Sequence, residues 1–374
     1  MKTLKDLKIK KGSYVLVRTS LNVPIEDGQV RNQFRIMRDL PTINILVNAG
    51  ARVILCGHIG SNGEQSLKPV ADVLETHLKL VMSPEVLGSK TLDLRDKLQD
   101  GEVLLLENLR LDPREKKNDE EFARGLADLA EVFVMDAFPA AHRSHASVVG
   151  VPKYLPTYAG INFMHEYDEL TKALKPKTPS LFMLGGAKFD TKMPLVEKFL
   201  DLYDHIFIGG ALANDFFKAK GYEIGKSLVS DVSLVDSPLL SHPKILVPVD
   251  VVVDGPDGRH IALPDNVSKE ETIFDVGPAT VEMLKPLIQN AKMVLWNGPF
   301  GDYERGFEAQ TVATAKLVAN TKGYSVLGGG DTIAAIESLC NQECYGFLST
   351  AGGAMLTFLE HGTLPAIEAM ESES

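Results

Sequence analysis

Short apolar runs alternate with helix-like segments along almost the whole chain, and this alternation limits the fold more than any other feature of the sequence. Strands that follow one another through helices form parallel sheets, which are buried on both faces and therefore read as continuous apolar runs. The sequence thus predicts an α/β fold of doubly wound parallel sheets. The predicted strands are Tyr14–Val17, Val53–Cys56, Val103–Leu106, Val132–Met135, Leu181–Leu184, Ile206–Ile208, Ile245–Val253, Met293–Trp296 and Tyr324–Leu327. The predicted helices include residues 69–80, 119–130, 193–202, 279–288 and 307–318.

The length of 374 residues predicts two domains, because one domain usually spans roughly 100 to 200 residues. Each half contains enough predicted strands for a sheet of its own. A helix-like run follows Gly160 and ends before the proline-containing segment 175–179, so we expect a helical hinge there. The predicted boundaries are 1–160 for the first domain, 161–177 for the connecting helix and 178–350 for the second domain.

Composition and charge exclude several classes of protein. The formal net charge of -11 argues against a general surface for nucleic acid or anionic membranes. No run of ~18 apolar residues occurs, and the first residues lack the apolar segment of a secretion signal. Cys56, Cys340 and Cys344 lack the partners of a zinc site, and we expect all three to be reduced. A soluble cytoplasmic protein with small-molecule substrates is expected.

Polar residues and glycines follow the predicted strands, where open parallel sheets bind their ligands. In the first half most of these residues are basic or carry imidazole or amide groups, which suits a small anionic substrate. In the second half most are glycines, which suits a nucleotide polyphosphate because backbone N–H groups can approach phosphates closely. The first set is Arg18, Asn22, His58, Glu107, Asn108, Arg110, His142, Arg143 and His145, and the glycines are 185–186, 209–210, 298 and 328–330. Segment 142–145 can also be interpreted as an ordinary polar loop.

The stretch Gly328–Thr332 joins a predicted strand to an amphipathic segment, an arrangement that favours phosphate binding. Asp331 could hold Mg²⁺ on the bound phosphates, although a glycine turn with an aspartate helix cap is the alternative. Lys188 and Lys192 stand four residues apart at a predicted helix start, so both can point toward the same phosphates. Two solvated lysines at a helix end are the simpler interpretation.

Taken together, many ordered segments resemble the phosphoglycerate kinase family, nearly from end to end. They are Leu21–Pro24, Val53–His58, Ser66–Val70, Leu104–Arg110, Asp136–Phe138, Ala141–Ser147, Gly185–Lys188, Gly221–Leu228, Trp296–Pro299 and Gly328–Thr332. The resemblance implies two Rossmann-like domains that close by hinge bending, with a C-terminal helix in 351–374 that returns toward the first domain. It also implies Mg²⁺-dependent phosphoryl transfer between 1,3-bisphosphoglycerate and ADP, with ATP or ADP as co-substrate. We expect a monomer.

The resemblance implies roles for particular residues as well. The implied contacts to the phosphoglycerate are Ser20, Asn22, Arg35, His58, Ser61, Arg110 and Arg143. Arg35 and Lys188 are the implied catalytic residues, with Arg35 stabilising charge on the transferred phosphoryl group. The implied nucleotide contacts are Gly186, Lys192, Gly210, Asn297, Pro299, Glu304, Gly328, Gly329, Gly330, Asp331 and Thr332. Among these, Glu304 faces the ribose and Asp331 holds Mg²⁺.

The sequence departs from the family pattern mainly on the side that would bind phosphoglycerate. Ser20, Ser61 and Thr178 stand where the family has an aspartate and two arginines. Each lost charge-assisted contact costs about 1.5 to 3 kcal/mol. Three alternatives stay open: a phosphoglycerate kinase with weaker substrate binding, a related acyl-phosphate kinase for another carboxylate, and a nucleotide-binding homologue without catalysis. The arginines considered as compensation are Arg31, Arg38 and Arg52.

Overall fold

The computed structural model describes residues 1–187, 192–231, 233–336, 339 and 344–372. The chain divides into two compact units, of which unit 1 comprises Met1–Asp168 with Thr363–Ser374, and unit 2 comprises Glu169–Gly362. Each unit is built on a six-stranded parallel sheet, which confirms the predicted α/β fold. The predicted catalytic residue Lys188 lies outside the described residues, as does Cys340.

The described residues of unit 1 form eight strands, and six α-helices begin within its first segment, Met1–Asp168. The strands are β1 (Tyr14–Arg18), β2 (Ile25–Glu26), β3 (Gln29–Val30), β4 (Arg52–Cys56), β5 (Leu80–Met82), β6 (Val103–Leu105), β7 (Val132–Met135) and β8 (Thr157–Ala159). The helices are α1 (Phe34–Asn48), α2 (Lys68–Leu74), α3 (Ser89–Lys97), α4 (Pro113–Lys116), α5 (Glu120–Ala127) and α6 (Ile161–Ala173). Helix α6 begins in unit 1 and ends in unit 2.

The main sheet of unit 1 has the strand order β5-β6-β4-β1-β7-β8, and every neighbouring pair is parallel. Alternate residues of the central strands, such as Val53 and Leu55, join Ile36 and Ile43 of α1 in one apolar cluster. Because all strands point the same way, the residues after β1, β4, β6 and β7 meet at one edge of the sheet. That edge carries the basic residues of the first half.

The described residues of unit 2 form nine strands and the α-helices that connect them. The strands are β9 (Ser180–Leu184), β10 (His205–Ile208), β11 (Ile245–Leu246), β12 (Val251–Asp254), β13 (His260–Ala262), β14 (Thr272–Val276), β15 (Met293–Asn297), β16 (Tyr324–Gly328) and β17 (Phe347–Ser349). The helices are α7 (Met193–Leu202), α8 (Leu212–Ala219), α9 (Pro278–Asn290), α10 (Ala309–Ala319), α11 (Gly330–Ile336) and α12 (Gly353–His361). The last helix, α13 (Pro365–Glu371), belongs to unit 1, where Ala366 N donates to Ala141 O at 3.1 Å.

The main sheet of unit 2 has the order β11-β10-β9-β15-β16-β17, again with parallel neighbours. Trp296 of β15 is fully buried and shares an apolar cluster with Leu284 of α9 and Val318 of α10. A smaller antiparallel sheet, β13-β12-β14, lies in the same unit. The glycine-rich loops follow β9, β10, β15 and β16, and the parallel direction of these strands brings the loops to one edge.

Three expectations about local structure are wrong. The predicted helix 69–80 ends at Leu74, and Leu80 begins the edge strand β5. The predicted strand Ile245–Val253 is two separate strands, β11 and β12, in different sheets, because Pro248 lies between them and offers no N–H to a ladder. Cys56 is a free buried thiol, whereas Cys344 is disulfide-bonded. The expectation that all three cysteines are reduced is therefore wrong for Cys344.

No helix in the described part of the chain has both the length and the apolar character that crossing a bilayer requires.

Candidate active site

The edge of the unit 1 sheet brings a buried arginine against a histidine. Arg18 is the last residue of β1 and is paired in register with Cys56 of β4, so His58 follows two residues beyond. Arg18 is 0% exposed, and its NH2 lies 2.7 Å from His58 Nδ1. Its Nε donates to Ser147 Oγ at 2.9 Å, and its NH1 donates to Thr19 O at 2.6 Å. We call Arg18, His58 and Arg143 the basic cluster.

Glu115 provides the buried countercharge for the basic cluster. Its carboxylate accepts from Ser147 N at 2.9 Å and from Ser147 Oγ at 2.6 Å, and the same hydroxyl accepts from Arg18. Burial raises the pKa of Glu115, while Arg18 opposes that shift. His145 Nδ1 lies 3.8 Å from Glu115 Oε1. Glu115 and Ser147 therefore fix the arginine that orients His58, a role that the sequence argument missed.

His58 lies between two guanidinium groups, one at each ring nitrogen. Arg143 NH1 is 3.3 Å from Nε2, while Arg18 is at Nδ1. Burial, followed by the charges of Arg18 and Arg143, lowers the pKa of His58 well below its ordinary value, so the ring is neutral at pH 7. A guanidinium group only donates. Nδ1 therefore accepts from Arg18, and Nε2 carries the proton, so an anionic oxygen between Nε2–H and Arg143 would receive two hydrogen bonds.

Arg35 and Asn22 lie next to the loop that carries His58. Arg35, in the first turn of α1, donates from NH1 to Asn22 O at 2.7 Å, and Asn22 Oδ1 accepts from Gly60 N at 2.9 Å. Burial lowers the pKa of Arg35, while Glu166 and Asp39 oppose the shift. A guanidinium group stays protonated even so. The structure thus connects two predicted contacts, Arg35 and Asn22, with the loop after β4.

A second pair of cations holds the same loop from its other side. Arg110 NH1 donates to Gly60 O, and Lys116 Nζ donates to Ser61 O at 2.5 Å. A Cβ on Gly63 would lie 1.9 Å from Arg110 O, so the loop packs closely against the turn that carries Arg110. Burial lowers the pKa of His145 to about 4, followed by the charges of Arg143, Arg18 and then Lys116. Lys116 therefore belongs to the positive potential of this edge, although the sequence argument did not select it.

Ser20 contacts Asp39, one of two buried carboxyl groups that influence each other. Its backbone N–H donates to Asp39 Oδ2 at 2.6 Å, while its buried hydroxyl oxygen has no hydrogen-bond partner among the described residues. Burial, reinforced by Asp136, raises the pKa of Asp39 well above its ordinary value. Burial raises the pKa of Asp136 to about 6. A buried hydroxyl without a partner is costly, and a bound ligand can satisfy it.

Two of the arginines considered as compensation are engaged elsewhere. Arg31 pairs with Glu26 at 2.7 Å. Arg52 begins β4, at the strand end opposite His58, and pairs with Asp100 at 3.0 Å. Arg38 lies 5.2 Å from the centre of the Phe34 ring. The cations that contact the Ser61 loop are Arg110 and Lys116, and neither Arg31 nor Arg52 was found in contact with it among the described residues.

In unit 2, glycine-containing loops follow β9, β10, β15 and β16, and we call these four loops the glycine-rich rim. The first three meet through their backbones. Gly185 N donates to Asn297 O at 2.8 Å, and Gly186 N donates to Pro299 O at 2.9 Å. A Cβ on Gly185 would lie 2.3 Å from Pro299 O, and one on Gly210 would lie 2.7 Å from Gly186 N. Side chains at these positions would push the loops after β9, β10 and β15 apart. The glycines are needed for this close approach.

Lys192 reaches the glycine-rich rim from the start of α7. Its Nζ donates to Gly185 O at 2.8 Å, and a Cβ on Gly186 would lie 2.9 Å from that Nζ. Burial lowers the pKa of Lys192 to about 8, with Asp331 opposing the shift. The ammonium group is therefore mostly charged at pH 7 and titrates near the physiological range.

The residues of Gly328–Thr332 occupy two different environments. Gly329 has φ +101°, and Asp331 is exposed in the first turn of α11. Thr332 is 0% exposed, and its Oγ1 accepts from Gly298 N at 2.9 Å. Asn297 is also buried, with Nδ2 3.7 Å from Met355 Sδ. The buried Thr332 thus connects its own helix to the loop after β15, whereas Asp331 is exposed.

A cavity of ≈ 530 Å³ opens at the glycine-rich rim, within the size range of small-molecule sites. Its lining includes five of the predicted nucleotide contacts, all within unit 2: Gly186, Gly210, Pro299, Glu304 and Asp331. The same cavity is bordered by Phe274, Tyr303 and Lys226, which the sequence argument did not select.

Comparison with known proteins identifies the family of this chain. A family model described as phosphoglycerate kinase matches residues 4–362. The chain belongs to the phosphoglycerate kinase family. Among similar proteins, the phosphoglycerate kinase of Thermus thermophilus is 40% identical over 401 residues, covering 99% of this chain and 100% of that protein. The phosphoglycerate kinase of Moorella thermoacetica is 41% identical over 387 residues, covering 98% of each.

Solved structures of the family share the fold. The structure of phosphoglycerate kinase from Coxiella burnetii is similar with a TM-score of 0.82 and 36% identity, and the match covers 98% of each chain. The structure of the phosphoglycerate kinase from Pyrococcus horikoshii is similar with a TM-score of 0.85 and 29% identity, covering 99% of this chain and 98% of that chain.

The departures from the phosphoglycerate kinase pattern lie in identifiable places. Ser20 follows β1, and Ser61 lies in the loop held by Arg110 and Lys116, so both are next to the basic cluster. Thr178 is exposed and precedes β9, at the opposite end of that strand from Gly185. Ser20 and Ser61 are therefore the departures that lie near the basic cluster, and Thr178 is not.

The donor set of the glycine-rich rim fits a Mg²⁺ ion held mainly by its nucleotide. Within residues that the structure describes, no group of three or more histidine, cysteine or acidic side chains is arranged to hold a metal. Asp331 provides a single exposed carboxylate beside the glycine turn. Mg²⁺ commonly takes one or two carboxylates and completes its shell with phosphate oxygens and water. One carboxylate at a phosphate site is sufficient for that mode.

Proposed function

We propose that this protein catalyses the reversible Mg²⁺-dependent transfer of a phosphoryl group between 1,3-bisphosphoglycerate and ADP, with 3-phosphoglycerate and ATP as the other pair. The observation that carries this proposal is the family match over residues 4–362, because both the basic cluster and the glycine-rich rim lie inside it. The reaction class is phosphoryl transfer with a carboxyl group as acceptor.

In this proposal the phosphoglycerate binds at the basic cluster of unit 1. The pair formed by His58 Nε2–H and Arg143 supplies two donors to one anionic group of the substrate, and neutral His58 adds no charge of its own. Arg110 and Asn22 hold the loop that borders the site. Charge-assisted hydrogen bonds of this kind are stronger than neutral ones, which favours an anionic ligand here.

The nucleotide binds in the cavity of unit 2 in the same proposal. Gly186 and Gly210 allow the phosphates to approach the backbone, and the charged Lys192 neutralises them. Glu304 is exposed at the cavity and receives the ribose hydroxyls. Asp331 would hold Mg²⁺, which neutralises phosphate charge and orients the transferred group when it is bound. Thr332 acts indirectly, by fixing the loop after β15 through Gly298, and the buried Asn297 ends the strand before that loop.

Transfer proceeds in line and without a covalent intermediate on the protein. The nucleophile is an oxygen of ADP or of the substrate carboxylate, so the protein supplies positioning and charge stabilisation. Arg35 has its guanidinium beside Asn22 and is assigned to the charge that develops on the phosphoryl group. Lys188 receives its catalytic role from the family resemblance. The functional division follows the two units. Of segment 351–374, residues 351–362 with α12 belong to unit 2, and Thr363–Ser374 with α13 belongs to unit 1.

The test is turnover of 3-phosphoglycerate with Mg²⁺ and ATP by the purified protein, with a Lys188→Ala variant as a control for contaminating kinase. We expect ADP release that depends on 3-phosphoglycerate and is lost in the variant. Glycerate, which lacks the phosphate, serves as the comparison acceptor. Equal turnover of glycerate would contradict the substrate assignment and favour another carboxylate. ADP binding without turnover of either acid would contradict the enzyme itself.

We further propose that the protein acts as a monomer in the cytoplasm. A monomer is sufficient because each rim is built within a single unit of one chain. Sedimentation equilibrium should give a mass near 40.8 kDa, and a mass near twice that value would contradict the proposal.

A further inference from the structure

Unit 2 has a second cavity, of ≈ 470 Å³, that is lined mainly by lysines. It lies away from the glycine-rich rim. This second cavity is lined by Met293 and Tyr324, the first residues of β15 and β16. The last residues of the same two strands, Asn297 and Gly328, belong to the glycine-rich rim. Five residues of strand span roughly 13 Å, so the two cavities occupy opposite ends of the sheet. We call the second one the lysine cavity.

Four lysines border the lysine cavity: Lys172, Lys175, Lys177 and Lys292. Lys172 has a partner, since its Nζ lies 2.7 Å from Glu169 and 5.1 Å from the centre of the Tyr324 ring. The Glu169 carboxylate thus has two partners, because it also accepts a hydrogen bond from Tyr324 OH. The other three lysines are exposed, and no carboxylate among the described residues lies within 4 Å of their ammonium groups.

Three uncompensated positive charges around one concavity repel each other, and a bound anion removes that repulsion. The concentration of charge is notable because the whole chain has a net charge of -11. A phosphate monoester carries about 1.5 to 2 negative charges at pH 7, so one phosphate group would leave part of the charge unneutralised. Two or more phosphate groups would match three lysines.

We propose that the lysine cavity binds a small anion that carries at least two phosphate groups. Lys175, Lys177 and Lys292 supply the charge, and Tyr324 and Met293 also line the cavity. Two of these lysines follow α6, and the third precedes β15, so the ligand links the segment after α6 to the sheet of unit 2. This site is separate from the proposed catalytic function and does not depend on it.

The test is calorimetric titration of the full chain with tripolyphosphate in Mg²⁺-free buffer, with 3-phosphoglycerate and ADP present at saturation to occupy the two rims. A second titration with fructose 1,6-bisphosphate separates a linear polyphosphate from two phosphates on a sugar. We expect one remaining site for at least one of these probes. Its affinity should fall roughly tenfold or more in a variant with Lys175, Lys177 and Lys292 replaced by alanine.

A matched control variant removes the same charge elsewhere on unit 2. It carries alanine at Lys218, Lys220 and Lys269, which are exposed and do not line the lysine cavity. This control should bind the probe as the unchanged protein does. Equal weakening in both variants would show a general charge effect and overturn the site. Absence of binding by both probes would overturn it as well, and circular dichroism establishes that each variant is folded.

Discussion

The pKa of Lys192 makes nucleotide affinity depend on pH. Burial lowers this pKa to about 8, so the ammonium group is about 90% charged at pH 7 and about 10% charged at pH 9. Because the folded pKa is depressed, the positive charge is lost as pH rises through about 8. If only the charged form of Lys192 binds ADP, the apparent dissociation constant for ADP is the intrinsic constant multiplied by the factor 1 + 10^(pH − pKa). The ratio between pH 9 and pH 7 is then about tenfold.

Calorimetric titration with ADP at constant Mg²⁺ and ionic strength, from pH 7 to pH 9, measures this effect. The phosphates of ADP are already ionised in this range, since the second pKa of a phosphate group is near 6. Lys192→Arg should flatten the pH dependence, because a guanidinium group stays charged. Lys192→Met should bind weakly at every pH.

A Lys188→Met variant provides the matched control and should keep the slope of the unchanged protein. The reasoning would be refuted if the unchanged protein showed no loss of affinity between pH 7 and pH 9. It would also be refuted if Lys192→Arg kept the full tenfold change.

Three further predictions concern the basic edge, the glycine-rich rim and stability. Lys116→Ala should raise the KM for 3-phosphoglycerate about three- to tenfold with little change in kcat, because it removes one exposed charge beside Ser61. The control Lys117→Ala should change neither constant. Equal effects of the two variants would exclude a specific role for Lys116. Gly298→Ala should raise the KM for ADP at least about tenfold, because Gly298 has φ +90° and the new Cβ would lie 2.3 Å from Gly185 O. An unchanged KM would show that the two loops can move apart without loss of ADP binding. Burial raises the pKa of Asp275 to about 7, so between pH 5 and pH 7 the folded state holds a proton that the unfolded state has released. The contribution of Asp275 to the free energy of unfolding should therefore fall by about 2 to 3 kcal/mol from pH 5 to pH 7. Urea unfolding of Asp275→Asn should lack this decrease, and parallel pH profiles of the two proteins would contradict it.

The strands of the two main sheets were largely predictable because central parallel strands are buried on both faces. Met293–Trp296 and Val132–Met135, for example, correspond to β15 and β7 within one residue. Edge elements were not predictable in the same way. β5, with Leu80 to Met82, is short and partly exposed, so its apolar residues extended the helical spacing of the segment before it.

The site was predictable only in part. The rule that ligands lie beyond the carboxyl ends of parallel strands selected His58 and Arg143, which lie 3.3 Å apart at the closest nitrogen pair. The support of Arg18 by Ser147 and Glu115 could not be read from spacing, because these contacts connect residues far apart in the chain. Lys116 was missed for a similar reason, since its contact with Ser61 depends on how α4 is anchored by the buried Glu115.

The most direct test of the central claim follows the phosphoryl group itself. The purified protein is mixed with Mg²⁺, ADP and 1,3-bisphosphoglycerate that carries a labelled acyl phosphate, and ATP is isolated after a short reaction. The account predicts that the label appears in the terminal phosphate of ATP and that Lys188→Ala abolishes its transfer. Release of the label only as inorganic phosphate, or transfer that survives in the variant, would contradict the claim that this chain is a phosphoglycerate kinase.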